Sequence, residues 1–206
     1  MPMKAIKLQL ANKTLLKHSA PQWERAPKGH ISLRGTDPEA QPSPYIRATW
    51  TGKRVGAVRT IAVQAAYNRQ NLFFRLEWPD KTHNPDFGDG LVFPDAAAIL
   101  FPGEGDPPLA RMGSPAEGIE AWYWRANRED GERLTFHGFA TEKPQTDQLV
   151  ATSADWEDGR WRVVIGGPIE AAKDGKRVAF AVWEGSNQER AGLHAFSPEW
   201  QELSIG

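Results

Sequence analysis

The stretch NLFFRLEWPD, residues 71–80, decides the fold class. Leu72, Phe74, Leu76 and Trp78 fall on one side of an extended chain, and Arg75 and Glu77 on the other, which is the alternation of a strand with one buried face. Pro79 marks its end. Outward from this strand, similar aromatic and β-branched segments recur at IKLQL (6–10), YIRATW (45–50), TIAVQAAY (60–67), AAAILF (96–101), IEAWYWRA (119–126), LTFHGFA (134–140), WRVVIG (161–166), RVAFAVW (177–183) and WQELSI (200–205). About ten strands separated by Gly, Pro, Asp and Asn point to an all-β fold, an antiparallel β-sandwich rather than a parallel α/β sheet. At most one or two short helices are expected, one of them in GPIEAAKDG (167–175). The stretch 20–44 is rich in Pro, Gly and charge and reads as a long ordered loop or arm.

Composition excludes several classes. With 206 residues, 40% of them hydrophobic, the chain supports one substantial core, and residues 1–206 are expected to form a single domain. A net charge of -1 without a dense Lys/Arg stripe removes the main electrostatic drive for binding nucleic acid. The absence of cysteine excludes disulfides, thiolate metal sites, iron–sulfur clusters and covalent haem attachment. No run of about 18 apolar residues predicts a membrane span, and MPMKAIKLQLANKTLLKH has no continuous apolar export region. Nucleophile elbow, H-E-x-x-H, P-loop and dinucleotide fingerprints are all missing, so catalysis by the chain itself is not expected.

Two loops carry the residues of greatest chemical interest. Met112 lies in GEGDPPLARMGSPAEG, among too many turn formers for a core strand, where a methionine serves either as a gap filler over the sandwich edge or as a soft ligand. His194 lies in ERAGLHAFS after the strand RVAFAVW; a loop histidine is either solvated or a ligand. A thioether and an imidazole together can complete an octahedral haem iron. Arg111, Arg125 and Arg190 are candidate partners for haem propionates. Asp80, His83, Asp86 and Asp89 lack a full calcium-loop signature and read as a solvated loop, while His137 should face the polar side of its strand. Most of the tryptophans should fill the core, with those near the two loops also able to wall an apolar pocket.

RMGSPAEGIEAWYWRAN (111–127) and VAFAVWEGSNQERAGLHAFS (178–197) resemble the signature regions of the haem b-binding γ subunits of molybdenum enzymes typified by ethylbenzene dehydrogenase. That group includes dimethyl sulfide dehydrogenase, selenate reductase and chlorate reductase. The likeness extends to RLEWPD (75–80), DGLVFPDAAAILFP (89–102) and WEDGRWRVVI (156–165). It implies that Met112 binds iron from one side and that the loop after the FAVW strand supplies the other ligand. In the ethylbenzene dehydrogenase subunit that ligand is a lysine in an ERxGxK context, and the matching position here is His194. Neutral imidazole is a better ligand at pH 7 than an amine that must first lose a proton.

The resemblance further implies one noncovalent haem b (iron protoporphyrin IX) per chain, an iron–sulfur β subunit and a catalytic α subunit with a molybdenum cofactor as partners, and exchange with an external electron carrier. Periplasmic work, by co-export with a partner, is the expected location, with the cytoplasm as the alternative. A haem-free carbohydrate-binding or structural module is the rival reading, since sandwiches of this shape also stack sugars on exposed tryptophans.

Overall fold

The computed structural model describes residues 2–147, 149–172 and 177–206. Among them are fourteen strands: β1 (Met3–Lys7), β2 (Gly29–Ser32), β3 (Arg34–Gly35), β4 (Thr60–Tyr67), β5 (Asn71–Pro79), β6 (Ala96–Pro102), β7 (Ile119–Arg125), β8 (Glu132–Phe136), β9 (Lys143–Pro144), β10 (Ala151–Trp156), β11 (Arg160–Pro168), β12 (Arg177–Trp183), β13 (Ala195–Phe196) and β14 (Gln201–Ile205). Two short α-helices join them, α1 (Asn12–Leu15) and α2 (Pro44–Trp50). The hydrogen-bonded order runs β10-β11-β5-β4-β1-β14-β12-β6-β7-β8-β9, with β2 added to β4, β13 to β12 and β3 to β13. The two ends of this path fold over each other into a sandwich.

Alternation along β5 explains the core. Phe74 reaches across to Phe101 on β6, Trp122 on β7 and Phe180 on β12, with ring centroids 6.3, 6.4 and 6.0 Å away. Trp78 meets Trp124 at 6.3 Å, and Trp124 meets Trp161 of β11 at 4.9 Å. Edge-to-face pairs of this kind add about 0.5–1.5 kcal/mol each beyond the area they bury. The layers approach closely at Gly167, where a Cβ would stand 2.8 Å from the Trp122 ring.

The β6–β7–β12 layer is buried on both faces, and this places the site. Ala97, Ile99, Trp122, Trp124, Phe180 and Val182 face the sandwich core. Their neighbours Ala96, Ala98, Ala121, Ala179, Ala181 and Trp183 face outward, into a second cluster that includes Met112 and Phe196. The opposite alternation on a layer with two dry faces gives near-continuous apolar strands.

Several expectations are corrected. YIRATW forms helix α2 instead of a strand: Ser43 caps it, its Oγ accepting from the Ile46 N–H at 3.4 Å, and Pro44 occupies the first turn, where its missing N–H costs nothing. Ile46 and Trp50, four apart on one helical face, pack with Val55 and Leu193. The first strand is β1 at Met3–Lys7 rather than 6–10, and it runs parallel to both β14 and β4 in an otherwise antiparallel sheet. No hairpin ties β1 to a sequence neighbour, so local turn geometry does not dictate its direction. The strand expected over 134–140 ends at Phe136, before Gly138 at φ 118 and Ala140 at φ 60. In 167–175 the described residues hold a 3-10 turn, Ile169–Ala172; residues 173–175 lie outside them. The arm over 20–44 is ordered and contributes β2 and β3.

Candidate functional site

Met112 ends a 3-10 turn, Leu109–Arg111, in the left-handed conformation, φ 57 and ψ 47, a backbone state that costs a residue bearing a Cβ about 1–2 kcal/mol. It is nevertheless only 2% exposed. The turn is tied on both sides: Gly113 N–H donates to Pro108 O at 3.0 Å, and Gly138 N–H donates to Met112 O at 3.0 Å. Gly113 has φ +90, and a Cβ there would meet Glu117 O at 2.8 Å, so the residue after the methionine has to be glycine. The loop thus turns a thioether inward against the outer face of the β6–β7–β12 layer.

His194 immediately precedes β13 and has no exposed surface. Its ring lies 4.7 Å from that of Trp183 and 6.2 Å from that of Phe196. Nδ1 sits 3.1 Å from Ala191 O, and the same carbonyl accepts the indole N–H of Trp183 at 2.9 Å. A carbonyl only accepts, so Nδ1 carries the hydrogen and Nε2 is left with a lone pair. Among the described residues no group meets that buried Nε2. Burial lowers the pKa of His194 to about 4, so the ring is neutral at pH 7.

Residues far off in sequence hold this loop. Glu189, 1% exposed, accepts from the backbone N–H groups of Gly56 and Ala57 at 2.7 and 2.9 Å, from Asn187 Nδ2 at 2.8 Å and from Glu184 N–H at 3.2 Å. Thr36 Oγ1 and Gln41 Nε2 both donate to Gly192 O, at 2.7 and 2.9 Å. Thr36 N–H donates to His194 O at 2.9 Å, and His194 N–H returns a bond to Thr36 Oγ1 at 3.2 Å. Nothing local in the sequence marks these supports: a glutamate is ordinarily exposed, and Thr36 and Gln41 sit in an arm that reads as loop.

Between the two loops lies a cavity of about 370 Å³, within the size range of small-molecule sites. Met112, Tyr123, Leu134, Phe136, Phe139 and Trp183 give it apolar walls, and Ala191 and Gly192 of the second loop line it as well, while His194 itself does not. Arg125 and Arg128 stand at its rim with Glu132 and Glu142. The Nε of Arg125 is buried without a partner, so this guanidinium has donor capacity to spare. Arg111 is exposed on the turn before Met112, and Arg190 lies over the Phe93 ring at 4.4 Å and donates to Gln188 O at 3.1 Å; neither lines the cavity. Arg128 does, though its sequence context gave no sign of it.

The remaining candidates separate. His83, Asp86 and Asp89 are exposed, as expected of a solvated loop, and His83 stacks on Trp156 at 5.0 Å. Asp80 departs from that expectation: it is 4% exposed and lies beside Asp95 and Glu184. His137 is exposed, as expected, although it stands just past the end of β8.

Comparison with known proteins places the chain in a family. Residues 20–149 match the family described as "Ethylbenzene dehydrogenase". The chlorate reductase subunit gamma of Ideonella dechloratans is 34% identical over 194 residues, covering 88% of this chain and 76% of that protein. A Haloferax mediterranei protein, provisionally named as a respiratory nitrate reductase heme subunit, is 35% identical over 73% of this chain, which spans 57% of it. The dimethylsulfide dehydrogenase subunit gamma of Rhodovulum sulfidophilum is 26% identical over 86% of this chain and 71% of that protein. Among solved structures, a family 9 carbohydrate binding module from Caldicellulosiruptor kristjanssonii superposes with a TM-score of 0.51 at 10% identity, over 98% of this chain and 95% of that one. At that identity the likeness concerns the β-sandwich fold alone.

Proposed function

The chain belongs to the ethylbenzene dehydrogenase family, and from that premise we propose that it is the electron-transfer subunit of a molybdenum oxidoreductase complex, holding one noncovalent haem b between Met112 and His194. The observation that carries this reading is His194 Nε2, a buried ring nitrogen with its lone pair free because Nδ1–H is committed to Ala191 O. A buried polar atom without a partner costs about 1–3 kcal/mol, so its retention calls for a ligand. The residues present fit the group: a soft sulfur, a neutral imidazole, an apolar slot and spare guanidinium donors.

Haem b supplies a one-electron Fe(III)/Fe(II) couple, whose potential a methionine ligand raises. The work of the chain is to position and to insulate. Ala191 O fixes the tautomer and orientation of His194, and burial keeps that ring unprotonated at neutral pH, ready to donate Nε2. The turn around Met112 brings that side chain to the cavity wall, from where its sulfur would be the second ligand. Arg125 and Arg128 line the cavity and would be the cations to meet propionates, whereas Arg111 and Arg190, also candidates from sequence, do not line it. Met112 and His194 would hold the iron as its two side-chain ligands and the group would then supply electron transfer alone, with substrate chemistry left to another subunit.

In this reading the partners are an iron–sulfur β subunit, an α subunit with a molybdenum cofactor and an external carrier. The complex works in the periplasm after co-export, which cell fractionation tests. No helix among the described residues is long and apolar enough to cross a membrane. The carbohydrate-binding alternative is disfavoured by burial: seven of the nine tryptophans are buried, and Trp156 and Trp200 are partly so, leaving none of them freely exposed as a stacking platform.

Haem titration of the purified chain tests the proposal. Saturation at one haem b per chain supports it. A protein that stays colourless after haem addition, or that binds glucose in calorimetry instead, overturns it.

A further inference from the structure

At the end of the sandwich beside Trp183, three chain segments bring carboxylates together. Asp80 follows β5, Asp95 precedes β6 and Glu184 follows β12. One oxygen from each lies within 4.8 Å of the others. Asp80 and Asp95 are 4% and 0% exposed, and among the described residues no lysine or arginine pairs with any of the three. We infer that Asp80, Asp95 and Glu184, with the side-chain carbonyl of Asn84, form a binding site for one calcium ion that fastens the start of the His194-bearing loop to the rest of the sandwich.

Unpartnered oxygens are what separate this site from an ordinary acidic cluster. Asp80 commits Oδ1 to Thr82, accepting from its N–H at 3.0 Å and its hydroxyl at 3.2 Å, and leaves Oδ2 buried with no partner. Asn84 is bonded to Asp95 through its backbone on both sides, its N–H donating to Asp95 Oδ2 at 3.1 Å and its O accepting Asp95 N–H at 3.0 Å, yet its Oδ1 is also buried without a partner. Both orphans are acceptors, so what they lack is a proton donor or a cation.

A single proton answers this poorly. Asp95 already accepts three N–H groups, from Gly185 at 2.8 Å, Trp161 Nε1 at 3.0 Å and Asn84, an arrangement that favours its ionised form. The His83 ring is stacked on Trp156 and meets Trp161 edge-on. One hard divalent cation held by the three carboxylates would give Asp80 Oδ2, and on this assignment Asn84 Oδ1, the positive partner they lack. Carboxylate and amide oxygens with no nitrogen or sulfur in the set match calcium, which takes 6–8 oxygen ligands and completes its shell with water.

The test uses the whole chain, stripped with EGTA. Trp161 bonds directly to Asp95, so terbium bound there should show tryptophan-sensitised emission that calcium displaces. Calcium at a hundredfold excess over its Kd should raise the thermal midpoint by about 5–10 °C. Glu184→Gln, at a partly exposed position, and Asp80→Asn should each abolish both effects while keeping the native circular dichroism spectrum. Should either variant fail to fold, the wild-type measurements still decide. Absence of sensitised emission and of any midpoint shift in the wild type, or full retention of both in a folded Glu184→Gln variant, would overturn the assignment.

Discussion

Replacing His194 with leucine should make the haem-free protein less sensitive to acid without weakening it by more than about 0.5 kcal/mol at neutral pH. In the folded chain His194 is fully buried and its pKa falls from 6.5 to about 4. A histidine whose pKa is lower in the folded state leaves the unfolded chain holding more protons between those two values. Folding stability from this group is therefore present above pH 6.5 and is lost as pH falls toward 4. At about 1.4 kcal/mol for each pH unit, the wild type should lose about 3 kcal/mol through His194 over that window. Asp95 acts in the opposite sense: its raised pKa, about 7, gives stability that is present below about pH 4 and is lost as pH rises through 7. The quantity to measure is therefore the difference between wild type and His194→Leu, which removes the common Asp95 contribution. At pH 7.5 the variant gives up one neutral hydrogen bond, worth about 0.5–1.5 kcal/mol, and is relieved of an unpartnered nitrogen costing about 1–3 kcal/mol. Ala191 O keeps its bond from Trp183. The balance runs from about 0.5 kcal/mol against the variant to about 2.5 kcal/mol in its favour. Urea unfolding at pH 7.5 and pH 4 reads both effects. A variant destabilised by more than about 3 kcal/mol at pH 7.5, or one with the same acid loss as wild type, would show that His194 is a satisfied core residue and that its geometry was misread.

Other outcomes follow from the same contacts. Met112→Leu conserves volume and should cost under about 1.5 kcal/mol while preventing haem from binding with its normal low-spin spectrum, so thermal midpoint and spectrum should separate. Trp122→Ala empties the centre of the sandwich and should cost about 3–5 kcal/mol, read as a denaturant midpoint shift with an unchanged m-value. Glu189→Gln should cost about 2–3 kcal/mol and speed amide exchange over residues 185–194; unchanged exchange there would remove Glu189 from the support of the loop. Arg125→Ala should weaken haem affinity roughly tenfold, and an equal loss in Arg111→Ala or Arg190→Ala instead would reassign the propionate contacts.

How much of this was legible in the chain depends on the range of the cause. Period-two alternation along 71–80, 96–101, 119–126 and 177–183 is local, and it becomes β5, β6, β7 and β12 with ends off by a residue or two. YIRATW shows the limit of the method: its alternation suits a strand, but the preceding Ser43 and Pro44 start a helix, and that signal was the better guide. Met112 and His194 stood out through motif likeness, since neither is placed by periodicity. That His194 lies buried, with one nitrogen committed and one free, depends on Ala191 curling back at φ 49 and on Thr36 and Gln41 arriving from an arm more than 150 residues away. The carboxylate cluster was hidden for the same reason. Asp80 read as one member of a solvated run, because Asp95 and Glu184 meet it only in three dimensions.

The proposed holding of one haem iron by Met112 and His194 is tested most directly by the reduced absorption spectrum of the haem-loaded chain. A sharp low-spin α band is expected in the wild type and should be lost in both Met112→Leu and His194→Leu, with each variant retaining its fold by circular dichroism. An unaltered low-spin spectrum in either folded variant would contradict it.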